Sequence, residues 1–196
     1  MPVAFTDAPV LVDVPRKRWT RAEVDALAAT GLFGEERLEL LEGELINKMG
    51  KKRPHVNSCA ILFEWLTVTF GSRRVLQKAP IDVAPGDNAA SEPEPDLMVL
   101  TRPFSDFTDR NPQPEDLALI IEVSDSTLAL DLTVKAGLYA RAGIVEYWVL
   151  DIAGRRIIVH RRPVAGHYTE IAAYSNDETV APLAAPQAGL RVSAAS

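Results

Sequence analysis

The chain has 196 residues, with 21 Lys and Arg against 27 Asp and Glu, a formal net charge of −6 and one cysteine. That length suits one domain with a substantial core. The single cysteine excludes an internal disulfide framework and a cysteine-rich zinc site, and no apolar run approaches the ~20 residues that span a bilayer. The acidity argues against a generic nucleic-acid coat protein, but not against an enzyme that holds metal ions with carboxylates.

Residues 1–18 hold three prolines and little periodicity, and read as an N-terminal arm. The opening MPVAFTDAPVLVDV carries acids and lacks a basic stretch, so no secretory signal is expected and the expected compartment is the cytoplasm. Thr20 followed by Glu23 matches a capping box, which starts a short helix closed by Gly31. RLELLEGELINKM (37–49) alternates around Glu42-Gly43 and reads as a hairpin. The spacing of Val56, Cys59, Ala60, Phe63, Leu66 and Phe70 predicts a helix over 55–70, ended by Gly71. Strands are expected at 74–84 and 96–100. Residues 102–116 form a long Pro- and Asp-rich connection, of a length that is often functional or mobile. LALIIEV (117–123) reads as a strand buried on both faces. SDST (124–127) offers N-caps for a helix over 128–143, ended by Gly143. Strands follow at 146–151, 155–162 and 166–174, and the Ala/Pro-rich last twenty residues close the sheet or fray. The expected architecture is α/β, one central mixed sheet flanked by helices with extra C-terminal strands, as a single domain over 19–190 with a tail at 191–196.

The charge has an address. Residues 92–122 contain eight acids and two bases, which accounts for the whole net charge, so the remainder of the surface is free to carry basic patches. Two of those acids stand at ends of predicted strands. Asp96 opens DLMVL, and Glu122 follows five apolar residues. Adjacent strands lie ~4.8 Å apart, close enough for two such carboxylates to share a hard cation such as Mg²⁺ or Mn²⁺. An acid in so apolar a strand needs a compensating partner. Asp131, Lys135 and Tyr139 recur every four residues on the next helix, so Lys135 can look back at Glu122. Glu39, on the hairpin, is a third candidate acid.

Taken in order, RLELLEGEL, EPEPDLMVL, LIIEVSDST and DLTVKAGLYARAGIVEYWVLD resemble the Uma-type restriction endonuclease family of the PD-(D/E)xK nuclease superfamily. The likeness spans about residues 35–160. It implies a restriction-endonuclease-like fold, a Mg²⁺- or Mn²⁺-dependent centre and DNA as substrate. On this likeness Asp96 is the acid of the PD element and Glu122 the acid of the second element. The superfamily's lysine belongs two residues after Glu122, where this chain has Ser124; family members with that change draw the lysine from the helix, here Lys135. The Val123 carbonyl then completes a metal shell, and Glu39 matches an acid of the N-terminal hairpin. Tyr139, Ser124 and Asp131 are candidates to support this set. GKKRPHVN departs from the usual Ser/Pro-rich stretch and leaves His55 without an assigned role.

Each residue also has a plainer reading. Asp96 can be a solvated strand-initiating acid, Glu122 and Lys135 a structural ion pair, and Tyr139 a packing residue. His55 is expected to be exposed at a helix start, and Cys59 to be a small buried hydrophobe. Lys51, Lys52 and Arg53 read either as a solvated face or as phosphate contacts beside an acidic centre. The functional alternatives are a non-catalytic nucleic-acid-binding or protein-interaction module on the same fold, and a hydrolase of another phosphoester. A homodimer is expected only because two-fold dimers are the commonest oligomers and many endonucleases cut two strands symmetrically.

Overall fold

The computed structural model describes residues 15–34, 36–48 and 52–195, so most of the expected arm, and Lys51, lie outside the described residues. Helix α1 (Arg21–Ala29) starts at Thr20 with both halves of the expected capping box formed with Glu23. Strands β1 (Leu38–Leu41) and β2 (Glu44–Asn47) pair antiparallel as the expected hairpin. Its turn residues, Glu42 (φ 50°) and Gly43 (φ 79°), are both left-handed, which two-residue hairpin turns favour.

Helix α2 (Arg53–Phe70) starts two residues earlier than expected, with Pro54 in its first turn, where a missing N–H costs nothing. Its buried residues are His55, Ser58, Cys59, Leu62 and Leu66, whereas Val56 is 43% exposed. The inward face is therefore rotated by one position from the expected one. The strand expected over 74–84 is reduced to β3 (Val75–Leu76). Lys78 and Ile81 donate to the carbonyls of Pro95 and Pro93, but prolines have no N–H to return, and Lys78 itself is left-handed (φ 49°), so no ladder continues. A short turn of helix, α3 (Pro85–Asn88), leads on to β4 (Leu97–Leu100).

β5 (Leu117–Ser124) is buried at every position, as the apolar run requires. The next helix is continuous but not uniform: α4 (Leu128–Leu130), a π turn (Asp131–Lys135) and α5 (Ala136–Arg141). In the π turn the Ala136 N–H reaches back five residues to the Asp131 carbonyl. β6 (Glu146–Asp151), β7 (Arg156–Val164) and β8 (His167–Ser175) follow. The six-stranded sheet runs β3-β4-β5-β6-β7-β8, with β5 and β6 parallel and the other pairs antiparallel.

Strand alternation assigns the two faces. Leu119, Ile121, Val123, Trp148 and Leu150 pack with Cys59, Leu62 and Leu66 of α2. Ile120, Tyr147 and Val149 pack with Ala136, Tyr139 and Ala140 of α5. Glu122 shares the parity of Ile120, which directs it to the α5 side. The C-terminal segment adds a small pair, β9 (Thr179–Val180) with β10 (Leu190–Arg191). Residues 191–195 are not a tail: Val192 and Ala195 are fully buried on the α2 side, because burying these apolar side chains outweighs fraying.

Candidate active site

Leu97 pairs with Ile121, so Asp96 and Glu122 stand just past the same end of the β4–β5 ladder. Asp96 Oδ2 accepts the Val123 N–H at 3.1 Å, and Glu122 Oε2 lies 3.4 Å from the Asp96 N–H. Both acids are closed off, with 7% and 4% of their surface exposed. A strand residue's N–H and C=O point to the same edge, so the Val123 carbonyl also faces the β4 side.

Helix and hairpin converge on this point. Lys135 Nζ lies 2.8 Å from Glu122 Oε1, 3.1 Å from Glu39 Oε1 and 3.9 Å from Asp131 Oδ1, and is itself buried. The Tyr139 hydroxyl donates to Glu122 Oε1 at 3.2 Å. Asp131 Oδ2 accepts from Ser124 Oγ at 2.6 Å and from Thr127 Oγ1 at 2.7 Å. The Ser124 and Thr127 hydroxyls, from the segment expected to supply N-caps, thus hold an acid one turn into the helix. Glu39 Oε1 accepts the Glu94 N–H at 2.8 Å, which ties the hairpin to the approach of β4. Lys48 lies 3.8 Å from Glu39 and 3.0 Å from Glu94.

Three buried carboxylates (Glu39, Glu122, Asp131) therefore face the buried Lys135 ammonium, and Asp96, also buried, adjoins Glu122. Burial pushes the Glu122 carboxyl up to about 8, against the attraction of Lys135, and the other acids add to the rise. Asp131 is also raised by burial, despite Lys135 and its two hydroxyl donors. Burial acts to lower the Lys135 pKa, but Glu122, Glu39 and Asp131 together hold it above the ordinary lysine value. The ammonium keeps its proton because three acids face it, and burial favours the protonated form of Glu122. Burial, followed by the nearby acids, also raises the Tyr139 phenol, so it acts as a donor.

The cluster opens onto a cleft of about 170 Å³ whose walls include Glu39, Asp96, Glu122, Val123 and Lys135. Lys52 lines its rim, 73% exposed, with Nζ 3.4 Å from Asp125. Arg53 is exposed at the start of α2 and is not among the lining residues.

One expectation is corrected here, that of an exposed His55. His55 is buried, 7% exposed, with Nε2 3.1 Å from Asp96 Oδ2. The rotated inward face of α2 accounts for this. Cys59 is buried as expected, but its Sγ lies 3.5 Å from His55 Nδ1. Among the described residues, one trio of His, Cys, Asp or Glu donors lies mutually within 4.8 Å: His55, Cys59 and Asp96. Phe107 shows what orders the 102–116 connection, since it lies beneath the guanidinium groups of Arg102 and Arg110, and both also bind Asp116.

A mixed six-stranded sheet between α2 and α5, with an acid and lysine cluster at the β4–β5 end, is a restriction-endonuclease-like α/β fold. The chain belongs to the Uma2 family, described as "Putative restriction endonuclease", whose sequence profile matches residues 22–195. The fold is similar to the crystal structure of a "putative nuclease belonging to DUF820 from Anabaena variabilis ATCC 29413". That likeness has a TM-score of 0.61 at 15% identity and covers 82% of this chain and 90% of the other. No curated protein matches the chain. Among the described residues, no helix is long and apolar enough to cross a membrane.

Proposed function

We propose that this protein is an endonuclease that hydrolyses DNA phosphodiester bonds with the help of Mg²⁺ or Mn²⁺. The observation that carries this reading is the convergence of buried carboxylates on one cleft, with Asp96 and Glu122 at the same end of the β4–β5 ladder and Glu39 beside Lys135. Carboxylate and carbonyl oxygens gathered at a cleft suit a hard cation. Asp96, Glu122 and the Val123 carbonyl are the donors we assign to it, with Glu39 as a further acid. When bound, such a cation lowers the pKa of water and offsets the charge of the scissile phosphate.

The chain's own groups have separate tasks in this reading. Lys135 presents a fixed positive charge to the anion that develops during attack. Glu39 and Asp131 hold that ammonium in place, and Tyr139 fixes the Glu122 oxygen that it shares with Lys135. His55 orients the Asp96 carboxylate. Lys52 at the rim, with Lys51 and Arg53 beside it in sequence, contacts backbone phosphates and positions the duplex without reading bases.

Incubation of supercoiled plasmid with the protein tests this. Nicking is expected with Mn²⁺ or Mg²⁺, none is expected with EDTA, and none with Glu122→Gln or Asp96→Asn variants that keep the wild-type circular dichroism spectrum. Cleavage that persists in both variants overturns the site assignment. A tight DNA complex without cleavage at any metal concentration supports the binding-module alternative instead.

A further inference from the structure

The proposed hydrolysis uses Asp96 and gives His55 a supporting place, but it leaves Cys59 without a task. We propose that Cys59, His55 and Asp96 form a second metal site, selective for a soft or borderline divalent ion of the zinc type. When filled, it draws Asp96 away from the hard-cation cleft.

The helix assembles the first half. His55 and Cys59 are four residues apart on the inward face of α2, so their donors lie one above the other on one side. The sheet supplies the other half, because Asp96 is held at the β4–β5 end by the Val123 N–H. All three residues are buried, and one donor atom from each lies within 4.8 Å of the others. Zn²⁺ bonds of about 2.0–2.3 Å at tetrahedral angles put neighbouring ligand atoms roughly 3.2–3.8 Å apart. Cys59 Sγ now lies 3.5 Å from His55 Nδ1 and Asp96 Oδ2 lies 3.1 Å from His55 Nε2, so these two contacts use opposite ring nitrogens. One ion takes one ring nitrogen, so filling the site turns the imidazole and leaves the backbone in place.

The donor types set the selectivity. A thiolate and an imidazole favour Zn²⁺ over Mg²⁺, which seeks oxygen ligands. Binding exchanges the Cys59 thiol proton for the ion, releases that proton to solvent, and involves no redox step. His55 and Asp96 both line the cleft, so an ion has an entry path, and three protein ligands leave a fourth position for water. Competition between Zn²⁺ and Mn²⁺ for Asp96 rests on the assignment under Proposed function; the thiolate site does not.

Co²⁺ titration of the full chain, free of any affinity tag, separates the two. Cys59 is the only cysteine, so any thiolate-to-cobalt charge-transfer band in the near ultraviolet reports this residue. The band is expected to saturate at one Co²⁺ per chain and to vanish when Zn²⁺ is added. It should be absent in Cys59→Ser and lost or strongly reduced in His55→Gln and Asp96→Asn, all checked for folding by near-ultraviolet circular dichroism. No band in the wild type overturns the site, and so does a band that His55→Gln and Asp96→Asn leave unchanged. In parallel, bound Mn²⁺ is followed by electron paramagnetic resonance. Zn²⁺ is expected to displace it from the wild type but not from Cys59→Ser. A cobalt band without Mn²⁺ displacement overturns the shared use of Asp96. A protein that binds no Mn²⁺ at all contradicts the hard-cation reading, while the cobalt band still decides the thiolate site.

Discussion

Lys135 Nζ lies 2.8 Å from Glu122 Oε1, and neither group is open to solvent. The lysine comes from the π turn of the helix that follows β5, so a short stretch of chain supplies both partners. Removing one partner of a buried pair leaves the other charge unpaired, which costs about 3–5 kcal/mol. Lys135→Met is therefore expected to lower the unfolding free energy by that order, measured by urea denaturation. Above about pH 8, where Glu122 ionises, the double variant Lys135→Met/Glu122→Gln should recover part of the loss, since it also removes one of the stranded carboxylates. A double variant as unstable as the single one would place the cost in Glu39 and Asp131 instead.

Glu122 also sets a pH dependence. Burial raises its folded-state pKa to about 8, above the ordinary glutamic acid value of 4.5. Between those values the folded state holds a proton that the unfolded state has released. The metal-free protein is thus expected to lose stability as pH rises from about 4.5 to about 8, with a slope of up to about 1.4 kcal/mol per pH unit from this group. Glu122→Gln keeps the shape without the titration, so its stability profile should be flatter and higher than wild type near pH 8. Thermal melts across that range in EDTA check both points. Added Mn²⁺ should restore wild-type stability at the alkaline end.

The elements that hold these residues were readable for identifiable reasons. Five apolar residues before Glu122 marked a fully buried strand with an acid that needed a partner, and the four-residue spacing of Asp131, Lys135 and Tyr139 pointed to one helix face. Both readings describe local periodicity, which strand parity and helix geometry enforce. His55 was not readable in the same way. Taking Val56 as an inward anchor rotates α2 by one position and turns the histidine outward. The structure instead points 55, 58, 59, 62 and 66 inward, a pattern in which a histidine and a serine replace apolar residues beside the site. The short β3 has a different origin: Pro93 and Pro95 lie in the facing segment, and their missing N–H groups matter only once the two segments are brought together.

The 102–116 connection is anchored at its end by Asp116. Its carboxylate accepts from Arg102 at 3.0 Å, Arg110 at 2.8 Å and the Gln113 N–H at 3.0 Å. Burial acts to raise its pKa, but these donors together hold it below the ordinary aspartic acid value. A depressed carboxylate stabilises the folded state above its unfolded pKa and loses that contribution as pH falls through the folded value. Asp116→Ala is expected to speed proteolytic cleavage within 102–116 at neutral pH. The difference from wild type should narrow as pH falls below the ordinary aspartic acid value of 3.8 and through the lower folded-state value, a range accessible to an acid-stable protease. An unchanged cleavage pattern at neutral pH would show that Phe107 and the backbone order the segment without the ion pairs.

Asp96 separates metal binding from folding. Its Oδ2 takes the Val123 N–H, and an asparagine side-chain oxygen in the same place can accept that bond and leave the end of the ladder intact. Asp96→Asn also removes one negative charge beside the raised Glu122, where Asp96 adds to the rise. Stability in EDTA is therefore expected to stay within about 1 kcal/mol of wild type. Mn²⁺ affinity should fall by more than about tenfold, since one of the assigned hard donors has become neutral. Mn²⁺ binding measured by electron paramagnetic resonance, alongside urea denaturation of the same preparation, reads the two quantities independently. Unchanged Mn²⁺ affinity in a folded Asp96→Asn variant would remove Asp96 from the proposed metal centre and shift the assignment toward Glu39 and Glu122.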